Sequence, residues 1–305
     1  MTDFFTDIKR RFNASSIATK YLYINVGVFI LIRMLMILFR LFLKEASFMT
    51  YFELPSLPAL FLHRPWTIIT YMFVHIDFLH ILFNMLWLYW FGNIFLQFFT
   101  GRQLGGLYLM GGISGGALFL LAYNLFPYLK QFSTMSFLAG ASASVMAIVF
   151  AVSFYRKDYT IHLLLIGKIK LIYLAIGVLL IDFLAITSEN SGGHIAHIGG
   201  ALLGIVFAIQ YQKQKDITNI INKVIDRTVN FFTHKPVFKT YRQNKKSSQH
   251  NNPPYNPYPE SDDAYLRRKQ EESGLIDEIL DKLKRSGYES LSSHEKKKLF
   301  DASRR

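Results

Sequence analysis

The sequence predicts an all-α membrane protein, a bundle of six transmembrane helices followed by a small helical cytoplasmic tail. Three observations carry this. Apolar stretches of about 20 residues, long enough as helices to cross a hydrocarbon core of about 30 Å, recur up to residue 211. The 305 residues are 51% hydrophobic and only 18% charged, with a mean hydropathy of +0.22, too apolar and too charge-poor for an ordinary soluble domain of this size. Beyond Gln210 the composition turns abruptly polar. Cysteine is absent, which excludes disulfide frameworks, thiolate nucleophiles and Cys-ligated metal sites. Any chemistry must run on Ser, His, Asn, Asp or Glu.

Taken in order, residues 1–20 form a basic cytoplasmic segment carrying Lys9, Arg10, Arg11 and Lys20. The six spans of the membrane domain, 21–211, are expected at 21–43, 78–97, 103–126, 137–155, 171–186 and 194–210. The first is too long for a signal-peptide core and no small-x-small cleavage site follows it, so it is expected to be a retained anchor. With the N-terminus inside, the inner segments before the tail hold Lys9, Arg10, Arg11, Lys20, Arg102, Arg156, Lys157, Lys168 and Lys170, against Lys44, Arg64 and Lys130 in the outer loops. This bias puts both termini in the cytoplasm of a cell carrying the protein in its plasma membrane.

The net charge of +13 is uneven: residues 1–211 contribute +6 and residues 212–305 contribute +7. Basic clusters beside apolar spans fit anionic lipid at the cytoplasmic face of the bilayer better than a nucleic-acid footprint, so no nucleic-acid partner is expected. Residues 212–262 are expected to be a flexible linker, polar at 243–250 and Pro-rich at 251–259. Residues 263–305 form the tail module. Leu275, Ile276, Ile279, Leu280 and Leu283 mark an amphipathic helix stopped near Gly287, and Ser292-Ser293-His294-Glu295 is a capping-box pattern opening a second helix.

Polar side chains inside apolar spans are costly, so each marks a candidate site. His80 and Asn84 stack four apart on one face of span two, Ser142 and Ser144 open span four, and His194 and His197 open span six. All three spans descend from the outer side, which brings Ser142, His197, His80 and Asn84 to a similar depth. The chemistry suggested is acyl transfer by a serine. A hydroxyl needs a base within hydrogen-bonding reach, and a neutral imidazole supplies one. Ser142 is the candidate nucleophile, His197 its base, and His80, Asn84 and the Ser142 backbone N–H candidate oxyanion donors. Gly200 and Gly204 form a small-xxx-small pair facing a slim span four, which lets the two backbones approach.

Pro65-Trp66, His80-Ile81-Leu82-Phe83-Asn84, Gly140-Ala141-Ser142 and the run from Ala196-His197 through Gly199-Gly200 to Gly204, in this order over residues 60–210, resemble the rhomboid family of intramembrane serine proteases. The resemblance implies a Ser142–His197 dyad without a third acidic member, oxyanion roles for His80 and Asn84, and a site open to water on the outer side. It implies cleavage of transmembrane segments of other membrane proteins, with no metal or organic cofactor. Three positions depart from the family pattern: Ala143 stands where Gly usually follows the nucleophile, Met146 replaces an aromatic, and Gln97 sits where an acidic residue is common.

Other polar residues receive structural roles. His75 is expected to bond nearby backbone, His194 to do likewise or hold the outer mouth of the site, and Asp182 to bond a neighbouring helix rather than join the dyad. Arg33 and Arg40 are expected to snorkel or pair internally, the loop at 48–64 to lie in the interface plane, and Trp66 to anchor at headgroup level. Ser144 is expected to pack against a neighbouring helix. The rival reading is a catalytically silent membrane protein of the same fold that binds clients.

Overall fold

A computed structural model describes residues 2–42, 47–163, 167–233, 278–287, 290–292, 294–296 and 299. The chain divides into two compact units, Met1–Pro236 and Val237–Arg305. In the first, the described helices are α1 (Thr2–Ala14), α2 (Ile17–Leu41), α3 (Pro58–His63), α4 (Thr67–Thr70), α5 (Phe78–Phe95), α6 (Gly101–Leu125), α7 (Pro127–Lys130), α8 (Ser142–Tyr155), α9 (Leu171–Leu184), α10 (Ser191–Gln212) and α11 (Asn219–Thr233). Two short antiparallel ladders join them: β1 (Leu54–Pro55) with β2 (Phe137–Leu138), and β3 (Thr160–Leu163) with β4 (Gly167–Lys170).

The result is an all-α membrane bundle. Helices α2, α5, α6 and α10 are long and apolar enough to cross a bilayer, whereas α8 and α9 are apolar but have only 14 residues each. At 1.5 Å per residue, each of these two spans about 21 Å, short of a full hydrocarbon core. For α8 the reason is local. Of the stretch expected as span four, residues 137–138 are extended and pair with Leu54–Pro55, and Gly140 turns the chain at φ +124° before the helix opens at Ser142. The apolar run continues, but the hydrogen bonds of its first residues go sideways to another segment instead of along a helix.

Three helices make the centre. Helix α10 packs chiefly on α8 and α6, and α6 on α8. Glycines allow the approach: a Cβ on Gly200 would lie 2.0 Å from the Ala143 carbonyl oxygen, and one on Gly204 would lie 2.3 Å from that of Ala147. On α6, a Cβ at Gly115 would meet the Ala143 side chain at 2.5 Å and the Ala196 carbonyl oxygen at 2.7 Å. The small-residue stripes thus set the backbone separation and let the helices gain dispersion contacts along their length. Ser114 Oγ adds a hydrogen bond to the Gly199 carbonyl at 2.8 Å. Helix α8 is buried almost all round, from Ala143 to Ser153.

Outside this centre, α2 runs along α5 and α6 and leaves most of its apolar surface exposed, as a lipid-facing helix would. Its polar contacts include Tyr21, whose Oη donates to the Gly105 carbonyl at 3.2 Å, and Asn25, fully buried, whose amide donates to the Tyr21 carbonyl at 2.8 Å and to Tyr108 Oη at 3.1 Å; Tyr108 in turn donates to the Met72 carbonyl at 3.1 Å. Arg33 lies over the Phe29 ring, 5.7 Å from its centroid. The loop at 48–64 is tied to the start of the next segment: Trp66 Nε1 donates to the Tyr51 carbonyl at 2.8 Å, and the Arg64 guanidinium stacks on the Tyr51 ring at 3.9 Å.

The segment expected as a flexible linker, 212–262, begins instead with a helix. Asp216 caps the turn by accepting from the Thr218 backbone at 2.9 Å and from Gln103 Nε2 at 2.9 Å, and α11 then packs on α6 through the buried Asn222 and an Arg102–Asp226 ion pair. Its polar sequence concealed an amphipathic period, with Ile220, Val224 and Phe231 exposed on one side. The Pro-rich part, 251–259, lies outside the described residues. In the second unit, residues 278–286 are helical and Gly287 closes the helix at φ +74°, where the sequence placed its stop. The expected capping box is formed: Ser292 N–H donates to Glu295 at 2.7 Å and Glu295 N–H to Ser292 Oγ at 3.3 Å. That backbone donor, with Lys282 nearby, holds the Glu295 carboxyl low, at about 2.

Candidate active site

The segment before α8 is pinned from three directions. Gly140 N–H donates to the Tyr71 carbonyl at 2.9 Å, Ala141 N–H donates to His75 Nε2 at 3.2 Å, and Phe137–Leu138 is paired to Leu54–Pro55. The His75 acceptor nitrogen must be unprotonated, so this buried ring is neutral and structural, as expected. Gly140 has no alternative: its φ of +124° suits only glycine, and a Cβ there would sit 2.7 Å from the His80 ring. The ring of His80 therefore lies directly against the backbone two residues before Ser142.

Ser142 is the first residue of α8. The helix has no side-chain cap and no acidic residue in its first turn, so its opening N–H groups have no partner from a capping side chain. They carry the positive end of the helix dipole. Ser142 is partly accessible, whereas Ser144 is fully buried, its Oγ without a partner among the described residues and its Cα 3.3 Å from the position a Gly111 Cβ would take. The two serines thus differ as expected, with Ser144 packed toward α6.

A cleft of about 380 Å³ joins the candidates. Its walls include His80, Asn84, Ser142, Met146, Asp182 and His197, from α5, α8, α9 and α10. All four residues that the sequence singled out for catalysis and oxyanion binding line it. Ser142 and His197 belong to adjacent turns of touching helices, since Ala143 and Ala196, their chain neighbours, close on Gly115 from two sides. Among the described residues the Asn84 amide donates to the His80 carbonyl of its own helix at 2.9 Å and makes no second donation. Met146, one of the departures, lines the cleft; Gln97, another, accepts from Tyr159 Oη at 3.1 Å far from it.

Asp182 goes further than the sequence indicated. It does bond a neighbouring helix, but through the candidate base itself: its Oδ1 lies 2.9 Å from His197 Nδ1 and 2.8 Å from His194 Nδ1. His194 therefore bonds a carboxylate rather than backbone. These three side chains offer ligand atoms all within 4.8 Å of one another, a grouping able to take a divalent cation. The signal for Asp182 was present in the sequence, as the one acidic residue inside an otherwise apolar stretch.

Comparison with known proteins agrees with this architecture. The rhomboid domain family matches residues 62–214, half of the chain, and the chain belongs to that family. Residues 260–305 match a family of unknown function, DUF6576. A mitochondrial protein of Arabidopsis thaliana, RHOMBOID-like protein 12, is 31% identical over 152 residues, covering 47% of this chain and 45% of the relative. The chain thus matches less than half the length of that relative.

Proposed function

We propose that the chain is an intramembrane serine endopeptidase that cleaves transmembrane segments of other membrane proteins, with Ser142 as nucleophile and His197 as general base. The cleft shared by Ser142, His197, His80 and Asn84 carries this reading. Ser142 Oγ attacks the scissile carbonyl carbon while its proton passes to His197 Nε2, giving a tetrahedral oxyanion. Donors from His80, Asn84 and the Ser142 backbone N–H hold that charge; each such donor is typically worth about 10²–10³ in rate. Collapse breaks the C–N bond, and the leaving amine takes the proton from His197. Water then attacks the acyl-enzyme, losing its proton to His197, and the second collapse returns that proton to Ser142 and frees the carboxylic acid.

The Lys/Arg bias supports an arrangement in the cell membrane with both termini cytoplasmic and the cleft opening to the outer side. Reporter tags at the two termini should then be cytoplasmic and a tag near Lys130 external; an external C-terminal tag would contradict it.

A fluorophosphonate probe tests the nucleophile. It should label wild type and Ser144→Ala but not Ser142→Ala. Labelling that survives Ser142→Ala and disappears in Ser144→Ala would reassign the nucleophile, and no labelling of wild type would favour a client-binding protein of the same fold.

A further inference from the structure

We infer that Asp182 is a positioning residue for His197, making the catalytic unit a Ser–His–Asp relay in which His194 shares the same carboxylate. This rests on the reading of His197 as general base. It departs from the two-residue arrangement that the family resemblance implies.

Consider first what α9 gains by carrying a carboxylate. The helix is LIYLAIGVLLIDFL, its buried residues are Leu171, Ala175 and Asp182, and Asp182 is 4% exposed. An uncompensated carboxylate in such surroundings costs several kcal/mol, so its partners matter. Both are imidazoles, and both meet the same oxygen, Oδ1. One oxygen carries at most one proton and cannot donate to two rings. An ionised carboxylate accepting from both Nδ1–H groups satisfies the geometry.

That hydrogen bond decides the chemistry at the other side of the ring. With the proton of His197 held on Nδ1, its Nε2 is left as a lone pair, the atom that must take the Ser142 proton. In the opposite tautomer Nε2 already carries hydrogen and the base is silent. When Nε2 gains its proton, the buried carboxylate stabilises the imidazolium at 2.9 Å. His194, three residues earlier on the same helix face, does not line the cleft with His197; the two imidazoles stand edge-on, at 82° with centroids 6.1 Å apart. It serves as the second donor that fixes the carboxylate's orientation.

The test uses the purified full chain in detergent, with wild type, Ser142→Ala, Asp182→Asn, Asp182→Glu and His194→Ala. Selective ¹⁵N-histidine NMR of wild type should show His197 protonated at Nδ1 and bare at Nε2, and Asp182→Asn should move that population toward Nε2–H. On a single-span reporter, Asp182→Asn should lower kcat by about 10²-fold with KM within threefold, while Asp182→Glu recovers at least tenfold of the loss. His194→Ala should lose less than tenfold and keep the His197 tautomer. The inference is overturned if wild-type His197 carries its proton on Nε2, which needs no folded variant. It is also overturned if Asp182→Asn and His194→Ala lose activity equally with the His197 tautomer unchanged, since Asp182 then merely ties α9 to α10. Loss of activity in EDTA with restoration by Zn²⁺ would make the three side chains a metal site instead. Failure of the serine reading looks different: wild type and Ser142→Ala would be equally inactive, and the tautomer would still be read.

Discussion

Helices α8 and α9 have the same length and nearly the same apolar composition, yet they live in different surroundings. Helix α8 buries every residue from Ala143 to Ser153 against α6, α5 and α10, whereas α9 buries three residues and leaves Tyr173, Ile176, Leu180, Ile181, Phe183 and Leu184 exposed. Hydrophobicity alone does not separate them, because lipid is as apolar as a protein core. What separates them is side-chain size. The partners of α8 present glycine where its backbone passes, while α9 has bulky residues on most of its surface and adds to its packing on α10 the Asp182 carboxylate. The proposed nucleophile thus sits on the helix most fixed by packing, and the group proposed to orient its base sits on one of the least.

Glycine substitutions break or sharpen this contrast most strongly. Gly200→Ala drives a Cβ into the Ala143 carbonyl and should lower stability by about 3 kcal/mol or more, with activity lost as the two helices part. Gly177→Ala on α9, where an added Cβ would meet no described atom within 4 Å beyond its own helix backbone and chain neighbours, should leave stability unchanged or raise it by up to about 1 kcal/mol. Thermal unfolding in detergent compares the two, and equal shifts would remove the distinction between the helices.

The next effect concerns the boundary of the membrane unit. A chain cut after residue 236 should keep the wild-type melting temperature and cleavage, whereas one cut after residue 215 loses α11 and uncovers Gly106, whose position lies within contact distance of Thr218 and Asn222. The shorter chain should melt several degrees lower; identical melting of the two would make α11 dispensable. Smallest of all is Arg102→Ala. Its ion pair with Asp226 is more than half exposed on one side and nearly so on the other, and its removal should cost under about 1 kcal/mol.

Much of this was legible from residue types. The four cleft residues stood out because each is polar within an apolar stretch, and the Gly200/Gly204 spacing announced the α8–α10 contact. Other features depend on partners distant in sequence. Hydropathy runs straight through 137–155 and cannot reveal that Phe137–Leu138 pairs with Leu54–Pro55, so the true start of α8 at Ser142 was hidden. The Asn25–Tyr108 contact joins residues 83 apart, and a tyrosine in an apolar span carries no sign of needing a partner. Helix α11 was masked by its polar content, since a helix that needs only one apolar side resembles a linker when composition is averaged. Asp182 was conspicuous, but its two histidine partners on one oxygen emerge only when α9 and α10 lie side by side.

The most direct measurement is cleavage of a single-span reporter by the purified protein in detergent, wild type beside Ser142→Ala and His197→Ala. Cleavage by wild type within the reporter's apolar segment, abolished in both variants while their melting temperatures hold, is the predicted result. An intact reporter with folded wild type, or cleavage that persists in Ser142→Ala, would contradict it.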